Sequence, residues 1–364
     1  MLNVEKLMEL LPKDYEEKCF ATKAIERVRE IKTPKDLMTL ALSYVAHGFS
    51  MLEMSEIARL RGIAKLSDVA FMGRFAKCKD WFVEILKSLE IGEVANYPKP
   101  HKLSEYNIKA LDATDVTEKG AVKRSYKLHY AINLFTMSSE SYKITPPGVG
   151  ESLTHFAIKP KDLIIGDRGY GSKTSIEHCL SNGGDFILRV RNNPFKLYDA
   201  EGSVVKITDY IEQATVDSAI DTTVYMERTK GEMQALRLCI TKKPPEATAR
   251  TARYIKRLES TGQRRLTEET KRAHAYFFVL TSLPSDVASA EEVLGIYRLR
   301  WQVELYFKRL KSIMNFGDLP KRHEQGVLAW LNAKLIVALL IEKSIAGVDF
   351  SPSGEGTVQQ EHLA

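Results

Sequence analysis

Three acids in this chain of 364 residues stand where a carboxylate can do chemistry. Asp112 sits on or just after a predicted strand, Asp167 follows the apolar strand Asp162-Leu-Ile-Ile-Gly, and Glu304 lies on an amphipathic helical stretch. Oxygen donors of this kind suit a hard divalent cation such as Mg2+, which takes few protein ligands and keeps room for phosphate oxygens. Two such ions, about 3.5 to 4 Å apart, can activate an attacking oxygen and stabilise a leaving one in phosphoryl transfer. Each acid also has a plainer reading. Asp112 opens a polar run, Asp112-Ala-Thr-Asp115, in which Asp115 fits the description equally well, and Asp167-Arg-Gly is ordinary turn chemistry. Spacing alone does not bring the three together, so the question passes to the elements that carry them.

Glu304 belongs to Ile296–Phe316, IYRLRWQVELYFKRLKSIMNF. At roughly 100° per residue, Tyr297, Arg300, Glu304 and Lys311 fall inside one stripe about 60° wide. Leu299, Val303, Tyr306, Phe307, Leu310 and Met314 take the opposite side. The pattern predicts one continuous amphipathic helix over 296–316, its wet edge holding a phenol, two cations and an acid. An ordinary surface helix with turn-related polar neighbours has the same signature.

From Met1 to about Ile91 the pattern is helical, punctuated by Pro12 and Pro34. Ser50 to Gly62 reads as a helix ended by glycine, and Ser67 caps a second helix through Lys77. The pair has the layout of a helix-turn-helix at 50–77 in a helical DNA-binding domain over 1–100, with Arg74 and Lys77 as candidate DNA contacts. A helical hairpin packed on itself has the same spacing. Asn96–His101 reads as a linker. Strands then take over: Ile108–Leu111, Tyr126–Met137 with apolar residues at period two, Asp162–Gly166 and Asp185–Arg191, with a helix over Ser172–Leu180 and a helix-like stretch at Glu151–Phe156. This order predicts an α/β layer with ligand groups at strand ends, a core over 104–191 and 275–345. Residues 192–274 form an insertion, with strand candidates Val204–Ile211, Thr222–Glu227 and Gln234–Thr241. A polar, basic stretch at Glu246–Arg272, including Arg264 and Arg265, reads as a solvated helical arm or a phosphate-facing strip. Residues 346–364 read as a disordered tail.

Composition narrows the classes. A net charge of +6 and a pI of about 8.9 permit a polyanionic partner without demanding one. Cys19, Cys78, Cys179 and Cys239 are scattered, which argues against a disulfide framework and a zinc site and for a reduced intracellular setting. The N-terminus lacks a signal-peptide pattern. The apolar run Val327–Ile341, broken by Asn332 and Lys334, is expected to be too short to span a bilayer. The histidines show no ligand spacing, with His129 placed toward the sheet, and Trp301 and Trp330 read as core aromatics.

Taken together, the motifs resemble those of insertion-sequence transposases of the IS-four group. Tyr297, Arg300, Glu304 and Lys311 match the Y-(2)-R-(3)-E-(6)-K signature in every type and gap. The resemblance extends to Asp112-Ala-Thr and to Asp167-Arg-Gly-Tyr, with Gly150-Glu-Ser-Leu-Thr-His-Phe before it and Phe186-Ile-Leu-Arg-Val-Arg after it, across roughly Ala110 to Leu340. It implies an α/β fold: an RNase H-like catalytic core interrupted by a β-rich insertion and preceded by an all-helical N-terminal DNA-binding domain. It implies that Asp112, Asp167 and Glu304 hold two Mg2+ or Mn2+ ions, and that water attacks at the transposon end to release a 3′-hydroxyl. That hydroxyl would then attack target DNA. Tyr297, Arg300 and Lys311 would handle phosphates near the cleaved end, where arginine grips bidentately and lysine supplies a point charge. The implied partners are double-stranded DNA, as transposon ends and target, and a second copy of the chain, in the cytoplasm on the nucleoid and away from membranes. Competing readings are an end-DNA-binding protein without catalysis and a general nuclease indifferent to terminal sequence.

Overall fold

A computed structural model describes residues 2–89, 97–118, 125–262, 266–314, 318–319 and 323–346. Asn96 of the expected linker, Arg264 and Arg265 of the basic stretch, Phe316 of the expected helix and residues 347–364 of the expected tail lie outside the described residues. The chain divides into two units, Met1–Ala95 with Leu328–Ala364, and Asn96–Val327.

In the first unit α1 (Val4–Met8), α2 (Tyr15–Ala21), α3 (Pro34–His47), α4 (Met51–Leu60), α5 (Asp68–Lys77) and α6 (Lys79–Ser88) follow in order. Thr33 caps α3 by accepting the Asp36 N–H, Pro34 opens it, and Gly48 in the left-handed region closes it. Ser50 and Glu53 form a reciprocal capping box on α4, and Ser67 accepts from the Ala70 N–H to start α5. Both helices expected between Ser50 and Lys77 are therefore present. α5 turns Phe71 and Phe75 edge-on to Tyr44, ring centres 5.9 and 5.1 Å away. Trp81 of α6 is fully buried and donates its indole N–H to the Tyr15 carbonyl at 2.6 Å, which satisfies its polar edge.

From Leu328 onward α12 (Glu324–Ile345) also belongs to this unit. It corrects the expectation for Val327–Ile341. The helix has 22 residues, long and apolar enough to cross a membrane, and 72% of its most apolar window is buried inside the protein. Asn332 and Lys334, the apparent interruptions, are themselves buried. Among the described residues no other helix has that length and apolarity.

The second unit is built on one sheet. β1 (Asn107–Glu118) runs antiparallel to β2 (Ser125–Asn133), which pairs β3 (Ser139–Thr145); on its other side β1 is parallel to β4 (Asp162–Gly166). α7 (Lys173–Ser181) carries the chain from β4 to the parallel β5 (Asp185–Arg189). All five residues of β4 are buried, as a strand paired on both edges and covered on both faces requires. Next come β6 (Leu197–Tyr198), β7 (Val204–Val205), β8 (Ile220–Glu227), β9 (Met233–Lys242), α8 (Pro245–Ser260), α9 (Glu268–Ala273) and β10 (Tyr276–Thr281). β10 is antiparallel to both β5 and β9, so the strands of residues 192–274 continue the same sheet in the order β9, β8, β6, β7.

Several expectations are revised. The polar run at Asp112 is not a loop: β1 continues through it, burying Thr114 and Val116 while Asp115 and Thr117 stay exposed, the alternation of a strand. β2 stops at Asn133 rather than Met137, because the Asn133 side chain accepts the Phe135 and Thr136 N–H groups and turns the chain. Glu151–Phe156 holds only the short 3-10 turn Leu153–His155. Val204–Ile211 is a two-residue strand followed by a 3-10 turn over Ile207–Gln213; Ile207 and Ile211, four apart, bury together on it. The helix expected over 296–316 is two helices, α10 (Ala290–Arg298) and α11 (Trp301–Met314), followed by β11 (Asp318–Leu319) beside the end of β1. At the break, Arg300 N–H bonds Tyr297 carbonyl at 3.0 Å and Val303 N–H bonds Arg300 carbonyl at 3.1 Å, the tighter i to i+3 pattern. Trp301 opens α11 with half its surface exposed instead of entering the core.

Candidate active site

Arg300 collects the acids. Its Nη1 lies 3.4 Å from Asp112 Oδ2, its Nη2 donates to Glu304 Oε1, and its Nε donates to the Tyr297 hydroxyl at 3.2 Å. That hydroxyl in turn donates to Asp167 Oδ1 at 3.3 Å. Acids from the middle of β1, from the turn after β4 and from the first turn of α11 are thus gathered around one guanidinium. Tyr297 and Arg300 are buried, 5% and 9% exposed, so neither lies on a wet edge as the helical wheel placed them. Tyr297 shares the buried face of α10 with Val293 and Leu294, and Arg300 stands at the break that follows. Asp115, the alternative first acid, falls on the opposite face of β1 and pairs with Lys127 at 3.2 Å. α11 is seated on the sheet by buried Val303 and Phe307 and by Tyr306, whose ring stacks on Tyr130 at 4.5 Å and whose hydroxyl accepts from Tyr130 at 2.7 Å.

The charges divide the acids. Burial, helped by Glu304 and Glu151, pushes the Asp112 carboxyl up to about 6 against the Ala113 N–H and Arg300. At Asp167 burial acts in the same direction but is outweighed by the Arg168 N–H and by Arg189, Arg300 and Arg168, and the carboxyl is held below its usual range. Burial, then Asp167, raises the Tyr297 phenol to about 12. Burial opposes the Arg300 charge, but Tyr297, Asp167, Glu304 and Asp112 more than restore it.

Among the described residues no three Asp, Glu, His or Cys side chains form a ready cation cluster. The positive charges among the three acids are the Arg300 guanidinium, against Asp112 and Glu304, and the Arg189 guanidinium, against Asp167. Carboxylate oxygens are the donors a hard divalent cation takes, and here Asp112 and Glu304 meet the Arg300 guanidinium directly while Asp167 is reached through the Tyr297 hydroxyl.

Residues 103–340 match the family model described as the Transposase DDE domain. The chain belongs to the DDE transposase family. It is 31% identical over 342 residues to InsL of insertion sequence element IS186A from Escherichia coli (strain K12), covering 92% of this chain and 91% of that protein. The transposase of IS421 from Escherichia coli is 31% identical over 343 residues with the same shares. The transposase of IS1151 from Clostridium perfringens is 28% identical over 201 residues, 50% of this chain and 41% of that one. Membership in the DDE family implies an RNase H-like core and an enzyme that acts on DNA, and relatives carried by insertion sequences support a role in transposition.

Around these three acids the remaining residues sort by position. Lys311 is exposed on α11 and, with Lys308, lines an open cleft of about 530 Å3 whose other walls are Asp112, Ala113, Thr114, Glu304 and Phe307. Sequence reasoning missed Lys308 and Arg189. Arg189 ends β5 with Nη1 3.4 Å from Asp167 Oδ1 and its guanidinium over the Phe277 ring at 4.7 Å. Arg189 stands in the Phe186-Ile-Leu-Arg-Val-Arg stretch that the resemblance includes, which assigns it no role. Arg74 and Lys77 belong to the first unit: Arg74 donates to the Ala24 carbonyl at 3.3 Å, and exposed Lys77 lies 3.9 Å from Glu26.

Proposed function

We propose that this DDE-family chain is a DNA transposase that cleaves and joins DNA at the terminal inverted repeats of its own insertion sequence. The observation that carries the reading is the convergence of Asp112, Asp167 and Glu304 on Arg300. In this reading the three acids hold two divalent ions, Mg2+ or Mn2+. When bound, such a pair activates an attacking oxygen and neutralises charge on the leaving one. The chain's own groups do the rest. Arg300 exchanges its carboxylates for phosphate oxygens in a planar fork, and Tyr297 holds Asp167 while offering its hydroxyl to the same phosphate. Lys311 and Lys308 guide the backbone along the cleft between β1 and α11. Water attacks the phosphodiester at the element end, leaving a 5′-phosphate on one side and expelling the 3′-hydroxyl of the other. That hydroxyl then attacks a target phosphodiester, forming one P–O bond as another breaks and a target 3′-hydroxyl departs. Arg74 and Lys77 at the end of α5 contact end DNA, and two copies of the chain hold the two ends together on the nucleoid.

Incubating the full chain with duplex bearing the element end and Mg2+ tests this. Nicking at the end, abolished by Glu304→Gln with binding retained, is expected. Binding without any nicking would establish a DNA-binding protein instead, and nicking indifferent to the terminal sequence a general nuclease.

A further inference from the structure

Glu151 is an acid beside the site to which no role has fallen. It stands in the loop before β4, at the head of the turn Leu153–His155. Its Oε1 lies 3.3 Å from Lys127 Nζ on β2, and Lys127 reaches Asp115 on β1 at 3.2 Å. Its other oxygen rests against the turn that follows Asp167. A Cβ added to Gly169 would lie 1.6 Å from Glu151 Oε2, and the three atoms nearest that position all belong to Glu151. Gly169 has no left-handed backbone to demand glycine, so a side chain there would have to displace the Glu151 carboxylate. Next to the notch the Tyr170 phenol is completely buried with no hydrogen-bond partner. Burial first, then the charges of Glu151 and Asp112, keep that phenol un-ionised, and the Glu151 charge also reaches Asp112.

We propose that Glu151 is a positioning residue of the DDE site: its carboxylate wedges the Asp167–Tyr170 turn against the strand pair bearing Asp112 and adds a fourth negative charge to the field that attracts cations. The inference rests on the reading of the three acids as cation ligands. A carboxylate that touches no reacting atom acts here through its neighbours, by fixing where Asp167 stands and by deepening the potential around Asp112.

The test uses the full chain and three readouts: Mn2+ affinity from the electron paramagnetic resonance of the free ion, the thermal midpoint without metal, and nicking of end duplex. Glu151→Gln keeps the shape and removes the charge. It should bind Mn2+ about tenfold more weakly and nick about tenfold more slowly, with unchanged KM for duplex, while melting within about 2 °C of the native chain. Gly169→Ala should weaken Mn2+ binding and lower the melt, yet add nothing when placed on Glu151→Ala, because the two changes disturb one contact. Recovery of folding in that double variant counts in the same way. Additive losses overturn the wedge, and native Mn2+ affinity in Glu151→Gln overturns the role of the charge. A chain that binds Mn2+ with this coupling but never nicks refutes the proposed function alone.

Discussion

At the scale of single residues, Arg300 is the side chain whose loss should be felt most. Arg300 and Asp112 are the more buried members of the cluster and Glu304 is half exposed, so losing Arg300 should cost less than the roughly 3 to 5 kcal/mol of breaking a fully buried pair. Arg300→Gln should therefore melt several degrees lower in the absence of metal, and added Mg2+ should recover part of the loss, since a cation bound only by the folded chain stabilises it by mass action. Nicking should fall by about two orders of magnitude, the usual cost of removing a preorganised group that meets developing charge. Thermal melts with and without Mg2+, beside nicking rates, check this; equal melts of variant and native chain would show that the acids do not depend on Arg300. At this scale the sequence was legible in types and gaps, since Tyr297, Arg300 and Glu304 do meet. It marked the stretches holding Arg189 and Glu151 but was silent on what they touch, because their partners come from distant parts of the chain and periodicity assigns a face, not a neighbour.

At the scale of elements, the junction at Leu299–Arg300 carries the lesson. A wheel drawn through 296–316 scores well whether or not one turn is tightened, because a single 3-10 turn shifts later residues too little to spoil the apolar stripe. Burial of Tyr297 and Arg300 was therefore invisible, while helix starts marked by Ser50, Ser67 and Ser172 were readable from cap chemistry. α10 starts at another such box, Ser289 with Glu292. Ser289→Ala should cost about 1 kcal/mol in urea denaturation. On β2, His129 is fully buried, its Nε2 2.9 Å from Thr145 Oγ1 and its Nδ1 without a partner. Burial first, then His155, Lys127 and Lys143, push it down to about 4 from 6.5, with Asp115 opposing. The folded chain thus keeps His129 neutral where the unfolded chain protonates it. Its contribution to stability is intact above about pH 6.5, is lost progressively as the pH falls toward 4, and changes no further below that. Urea midpoints at pH 7, 5.5 and 4.5 should fall less steeply in His129→Asn than in the native chain.

At the scale of the whole molecule, α12 joins in one unit two stretches far apart in sequence. Leu335 is completely buried in it. Leu335→Ala should lower stability by about 2 to 5 kcal/mol. Limited proteolysis of that variant should open sites within residues 2–89 as well as in α12; cuts confined to α12 would mean that the N-terminal helices hold without it. This partnership was not legible, because the apolar run of α12 identifies a buried helix and says nothing of what buries it.

β5 and β10 are antiparallel neighbours, with Arg189 opposite Val279, so residues 190–278 leave the framework and rejoin it on adjacent rungs. In topological terms that whole excursion is the tip of a hairpin, and it could be lost or gained in a gene without rethreading any other strand. A shortened protein closed there by a tight reverse turn would keep the parallel trio of β1, β4 and β5. It would also bare an unprotected edge on β10, so its characteristic failing would be self-association rather than collapse.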